Sequence, residues 1–445
     1  MTQLASKSER IPWRWLAVAV SIIIGGLLRH LFLEEMEFKY DEKYMYLAVR
    51  KALDGGVWPV LGMHSGAAIR NPGMSIWLFD VLGLFFRVET PLQLCRAVVW
   101  LNTAALGLLG LFIVKKIPPQ AQLAWWWGLA LVTVNPFLVL YQRKIWTVSA
   151  LPFLMVLFLW TFWERRNWLG AFFWGLLGAC LGQIHMSGFF FAFAFVLVGF
   201  FHREDRRATR WSTWFVGSVL GSLPLIPWLI YMRTAEGGGV FSLWSLLREM
   251  SGLRFWSFWF SDPTGLTLGY FLGLHRGHGA LVQNGEFFKY PMIAGSPTYG
   301  VTLFILVSLV ASLVVYGSSL VAILKKKWHR DRPDYDSDTQ RALWSVGGVF
   351  GAILPLSLAR VRRHYLLITF PFECIWFARE ALRGLGERRG QRMLALLALL
   401  QLLTSLAFLQ FIVKNGGSPQ GDYGVSYRVQ EEQGTTWSVP IQLDF

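Results

Sequence analysis

The sequence predicts an all-α protein, a polytopic transmembrane helical bundle, and three observations predict it. Of 445 residues 54% are apolar and only 16% charged, where soluble domains run near ~45–50% and ~25%. The apolar residues gather into runs long enough for helical spans, which need about 20 residues each. The basic residues gather in the short segments between alternate runs, as the positive-inside bias requires. This composition excludes a disordered chain, a collagen-like repeat and a disulfide-stapled secreted domain, and it argues against a soluble enzyme of this length. The 23 Trp and 35 Phe suit interfacial aromatic belts. Cys95, Cys180 and Cys374 share no CxxC spacing and sit in or beside apolar runs, the setting of small buried hydrophobes.

The first span is residues 15–33. Lys7, Arg10 and Arg14 precede it, and with no small-x-small cleavage site after it the run reads as a retained signal anchor. Further runs cover 97–114, 123–140, 146–163, 169–201, 211–231, 302–324, 343–358, 365–377 and 393–413. The run 169–201 has 33 residues, too long for one helix. The polar patch Gln183-Ile184-His185-Met186-Ser187-Gly188 splits it into two short helices that meet within the membrane. The total is about 11 spans. Residues 73–86 carry Asp80 and are too short to span, so this segment is expected in the interface. Residues 44–53 are amphipathic and are expected as a second surface helix.

With the N-terminus inside, the inner segments 1–14, 115–122, 164–168, 202–210, 325–342 and 378–392 hold 22 basic and 10 acidic residues, or +12 of the net +15. Topology therefore accounts for most of the charge, and no nucleic-acid partner is needed. Residues 1–413 form one transmembrane module with long outer loops at 34–96 and 232–297. Residues 414–445 are a short polar outer tail with a turn at Gly-Gly-Ser-Pro-Gln-Gly. No inverted repeat is evident.

Five clusters carry potential chemistry. Glu34 to Tyr44, just after the first span, is rich in carboxylates, and a carboxylate at a membrane surface can act as a general base on a hydroxyl. Arg360, Arg362, Arg363, His364 and Tyr365 lie on the outer side against the positive-inside bias, and arginine forks hold phosphate. Arg143 and Lys144 in an outer turn add two cations. Gln183, His185 and Ser187 sit at the break in the long run, where polar groups mark binding sites. The loop 232–297 carries Ser261-Asp262-Pro263, His275-x-x-His278 and Asn284-Gly285-Glu286. It reads as a lid, since His-x-x-His has no third ligand at a telling spacing. Walker A, nucleophile-elbow, HExxH and dinucleotide patterns are absent.

In order, sidedness and spacing these features resemble the polytopic glycosyltransferases of the GT-C type, in particular the protein O-mannosyltransferase and aminoarabinose-transferase branch. The resemblance starts at Tyr40-Asp41-Glu42-x-x-Tyr-x-x-Ala48 and continues at Arg70-Asn71-Pro72-Gly73-x-x-x-Trp77-Leu78, with Gly73 where the family has a second proline. Arg143, Gln183-x-His185-x-Ser187-Gly188, and Arg363-His364-Tyr365-Leu366 with Pro371 match further positions. His185 stands where family members often have Lys.

The resemblance implies a GT-C-like fold and a sugar donor on a polyprenyl or dolichyl phosphate. Its acceptor would be a glycan, lipid or protein hydroxyl, and transfer would invert the anomeric centre on the outer, periplasmic face of a bacterial inner membrane. Asp41 would be the general base, with Glu42 orienting it or touching the acceptor. Arg360, Arg363, Arg143, Lys144, His364 and Tyr365 would surround the donor phosphate. Tyr44, Arg70, Gln183 and His185 would line the substrate cavity. Neither a cofactor nor a metal is implied. A lipid-linked glycan flippase and an O-antigen polymerase or ligase are the alternatives. The clustering of charge at the outer boundary, away from the midplane where transporters place it, favours surface chemistry.

Overall fold

The computed structural model describes residues 13–64, 69–234, 253–272, 285–325, 337–357, 361–438, 440, 441 and 443. Arg360, His275, His278 and Asn284 lie outside them. The described chain is helical throughout apart from three two-stranded antiparallel ribbons. It is a polytopic helical membrane protein.

Among the described residues four helical stretches are long and apolar enough to cross a bilayer: α4 (Pro91–Lys116), Trp211–Met232, Gly300–Leu324 and Glu387–Asn415. They coincide with four of the predicted runs. α4 begins with reciprocal capping, Gln93 N–H to Thr90 Oγ1 at 3.3 Å and Thr90 N–H to Gln93 Oε1 at 3.1 Å, with Pro91 at the position where its missing donor costs nothing. The first run forms α1 (Trp13–His30). The long run divides where expected: α8 (Trp168–Ile184) and α9 (Ser187–Phe201) meet at His185, whose backbone is extended at φ −149°.

The remaining runs are interrupted. Residues 123–140 form α5 (Gln122–Val134) and α6 (Pro136–Tyr141). Pro136 cannot donate a backbone bond, and Asn135 Oδ1 instead accepts from Phe137 N–H at 3.1 Å and Leu138 N–H at 3.2 Å, starting a new helix. Run 146–163 opens in a 3₁₀ turn before α7 (Leu151–Trp163). Run 343–358 contains the π-helical turn Trp344–Phe350. Run 365–377 begins as the 3₁₀ segment Arg363–Thr369 and continues as the helix Phe372–Leu385. The two stretches expected as surface segments both form helices, α2 (Tyr40–Gly55) and α3 (Met74–Phe86).

Backbone-close packing joins α8 to α11 (Trp211–Ser222). A Cβ on Gly175 would fall 2.1 Å from the Trp214 carbonyl oxygen, and one on Gly217 2.0 Å from that of Phe172. Small residues let membrane helices approach this way, since lipid supplies no hydrophobic drive between them. The opposite flank of α11, with Phe215, Val216, Val219 and Leu220, is exposed, as are Leu306, Val310 and Leu313 on Gly300–Leu324. Exposed apolar residues along spanning helices face lipid.

The bundle has two chemically distinct ends. At the C-terminal end of α7, buried Arg165 reaches Asp205 and Asp338, each at 2.6 Å, and Arg341 Nε lies 2.9 Å from Asp205. These residues come from 164–168, 202–210 and 325–342, three of the basic segments assigned to one side. At the other end α2, α3 and the start of α4 close over a second, smaller apolar core that includes Met36, Phe38, Phe79 and Val98.

Tyr427, from the polar tail, belongs to that core. The ribbon Gly417–Ser418 with Gly424–Val425 folds the tail back. Tyr427 N–H donates to Met36 O at 3.0 Å, Gln430 Nε2 to Phe38 O at 2.8 Å, and the Tyr423 hydroxyl to Glu35 O. Each carbonyl belongs to the irregular stretch before α2, which has no helical partners of its own, so the tail satisfies it.

Candidate active site

The first turn of α2 presents Tyr40, Asp41 and Glu42, where the helix N-terminus favours carboxylates. Glu42 is committed: its Oε2 accepts the Lys39 N–H at 3.0 Å. Its other oxygen lies 3.4 Å from Lys144 Nζ, which is also 2.9 Å from Glu37 Oε2. Lys144 is buried, with its ammonium 4.8 Å from the Trp146 ring centroid and 5.3 Å from that of Tyr141. Burial alone would lower its proton affinity, but Glu37 and Glu42 reverse this and hold it well above the ordinary lysine range. Burial holds Glu37 above the usual carboxylate range, against Lys144 and Lys39.

Asp41 differs from both neighbours. It is half-buried and makes no hydrogen bond or ion pair with any described residue. Burial, then the adjacent Glu42, pushes its carboxyl up to about 6, with Lys144 and Lys39 opposing. Desolvation thus outweighs attraction and leaves a carboxylate that titrates close to neutrality. That is the setting a general base needs.

Trp146 also contacts residues from two other stretches. The His364 ring centroid is 4.7 Å from that of Trp146, Tyr365 is 4.8 Å from His364, and His185 is 4.9 Å from Tyr365. His185 Nδ1 is held 2.7 Å from Ser187 Oγ, so the break between α8 and α9 fixes its ring. The Trp146 indole therefore contacts both Lys144, whose ammonium pairs with Glu37 and Glu42, and His364, so the ion platform adjoins the His364–Tyr365 pair and His185, which come from two stretches far apart in sequence.

Other predicted residues have more structural tasks. Arg363 Nη1 pairs with Asp262 at 2.5 Å, and its guanidinium lies 4.8 Å from the Phe258 ring. Burial pushes the Asp262 carboxyl up to about 6, with Arg363 opposing. Arg143 is buried behind Lys144 and donates to Phe32 O at 2.7 Å, while its Nε and Nη1 have no hydrogen-bond partner among the described residues. Gln183 ties α8 to α11 by donating to Gly221 O at 2.7 Å. Arg70, in the strand Arg70–Pro72, donates to Gly62 O at 2.9 Å and to the Tyr44 hydroxyl at 3.2 Å, bracing the first loop on α2.

Two residues that matter here were not singled out from the sequence. Glu37 shares Lys144, but nothing in the acidic run separates it from Glu34 or Glu35. Trp146 joins the two halves of the cluster. Arg362, named in the outer arginine run, is exposed and makes no ion pair with a described residue, so it remains open to an anion. Among the described residues no three His, Cys, Asp or Glu side chains come together as a metal site needs.

Fold and site together define a polytopic helical membrane protein with an acidic and aromatic cluster at one end. No protein-family model and no curated protein matches the sequence. Among solved structures the chain is similar to ArnT from Cupriavidus metallidurans bound to undecaprenyl phosphate, at 15% identity over 91% of this chain and 78% of that one, with a TM-score of 0.43. It is also similar to ArnT from the same organism in the apo state, at 14% identity over 88% and 77%, with a TM-score of 0.38.

Proposed function

We propose that the protein is an integral membrane glycosyltransferase that moves a sugar from a polyprenyl-phosphate donor to an acceptor hydroxyl at the outer membrane face. The observation that carries this reading is Asp41: a half-buried carboxylate without a partner among the described residues, its carboxyl pushed up to about 6, beside neighbouring acids already committed to Lys144.

In this reading Asp41 takes the proton of the acceptor hydroxyl. The hydroxyl oxygen bonds to the anomeric carbon from the side opposite the leaving group. The bond from that carbon to the phosphate oxygen breaks, and polyprenyl phosphate departs with inversion. Negative charge grows on the leaving phosphate, so fixed cations facing it lower the barrier. Arg362 is the exposed cation among the described residues of the run and Arg363 its neighbour. His364, Tyr365 and His185 form the adjoining wall, and the mutual packing of their rings restricts their motion. The step uses a proton transfer and charge stabilisation, both of which these side chains can supply without a cofactor.

The test uses the full-length protein in bilayer nanodiscs with polyprenyl-monophosphate sugars, reading release of polyprenyl phosphate. A positioned base contributes roughly 10²–10⁴-fold, so Asp41→Asn is expected to lower turnover by that factor while folding normally. Near-normal turnover in Asp41→Asn would remove Asp41 from the mechanism. Turnover of polyprenyl-diphosphate donors alone would instead place the protein among glycan polymerases or ligases.

A further inference from the structure

We propose that the groove between the first turn of α2 and the docked C-terminal tail is a binding site for an anionic saccharide. It rests on the transferase reading only for its role, as the acceptor side of that reaction. The groove has a volume of about 370 Å³, within the ~300–1,000 Å³ range of small-molecule sites.

Its two walls differ in chemistry. Lys39, Tyr40 and Lys43 from α2 form one, and Gln433, Thr435 and Ser438 from the tail form the other. The tail wall offers an amide and two hydroxyls, groups that both donate to and accept from sugar hydroxyls. Tyr40 is 51% exposed, and its ring stacks on Tyr44 at 6.4 Å. A fixed, exposed aromatic face suits the C–H face of a pyranose.

Lys43 supplies the charge preference. It is only 7% exposed, its ammonium lies 5.7 Å from the Phe38 ring centroid, and its side chain has no ion pair or hydrogen bond with a described residue. Lys39 is by contrast tied to Glu37 and Asp422. A nearly buried cation with no contact ion pair, attracted only at longer range by Glu42, is costly, and an anionic group on the ligand supplies a direct partner. The tail is held in place as the second wall by Tyr427 N–H to Met36 O at 3.0 Å and by Gln430 Nε2 to Phe38 O at 2.8 Å.

Calorimetry on the full-length protein in detergent, without donor, tests this with D-glucose 6-phosphate, D-glucose and inorganic phosphate, each to about 10 mM to cover weak binding. Glucose 6-phosphate is expected to bind more tightly than either of the others. Lys43→Met should weaken it roughly tenfold, the scale of a charge-assisted contact. Ser438→Trp, at an exposed position, should fill the groove and remove sugar binding. Absence of saturable glucose 6-phosphate binding overturns the proposal. So does inorganic phosphate binding as tightly as the sugar phosphate, or indifference of binding to both substitutions. Asp41→Asn is expected to leave this binding intact, so failure of the transferase reading and failure of the groove are read in separate experiments.

Discussion

Replacing Asp41 with Asn separates two consequences of one ionisation. The folded carboxyl titrates at about 6 against an ordinary 3.8, a rise of about two units at ~1.4 kcal/mol each. The folded state therefore holds the proton more tightly than the unfolded chain, and ionisation penalises folding. Well below pH 3.8 both states are protonated and the penalty is absent. It grows as pH climbs from there and is complete above about 6. Its ceiling is about 3 kcal/mol, reduced to about 1–2 by the solvent that reaches a half-buried group. The carboxylate's favourable place at a helix N-terminus is part of that balance.

Asp41→Asn should thus melt above wild type at about pH 8 and no higher than wild type near pH 3, while losing turnover. The wild-type kcat/KM should rise about tenfold per pH unit up to about 6 and then level, since the base must be ionised. Thermal unfolding in detergent and a transfer-rate profile check both. A variant that melts below wild type at about pH 8, or a rate flat between about pH 5 and 7, refutes the coupling of burial to base strength.

Lys144→Met should be among the most destabilising substitutions at this end, costing about 3–5 kcal/mol, because Glu37 and Glu42 would stay buried without their cation. Lys144→Arg should recover part of the loss in melting temperature, and equal melting of Lys144→Met and wild type would show that the platform contributes nothing. A double-mutant cycle of Asp262→Asn with Arg363→Met should give a coupling of about 1–3 kcal/mol in thermal stability. A coupling near zero would free Arg363 for the donor phosphate alone.

Periodicity and composition were enough to place α1, α4 and the long spans, because a bilayer demands contiguous apolar length whatever the helices pack against. The split at His185 was legible for the same reason: a run too long for one helix must break at its polar residues. Interruptions inside single runs were not, although Asn135-Pro136 is a visible cap-and-proline signal. The apolar run on either side of that pair concealed the break.

The site divides in the same way. Sequence by itself determined that acids follow the first span and that arginines precede the last apolar stretches, since charge next to a span is readable residue by residue. Which acid is free was decided only by tertiary structure. Glu37, Asp41 and Glu42 look alike in the chain, but Lys144, about a hundred positions on, pairs with two of them and leaves the third. The tail reads as polar in the sequence, and only the folded chain shows that its Tyr427 enters the outer core and its backbone covers the stretch before α2. Composition reports how much polarity a segment carries, but only packing decides which polar groups meet one another and which remain free to meet a substrate.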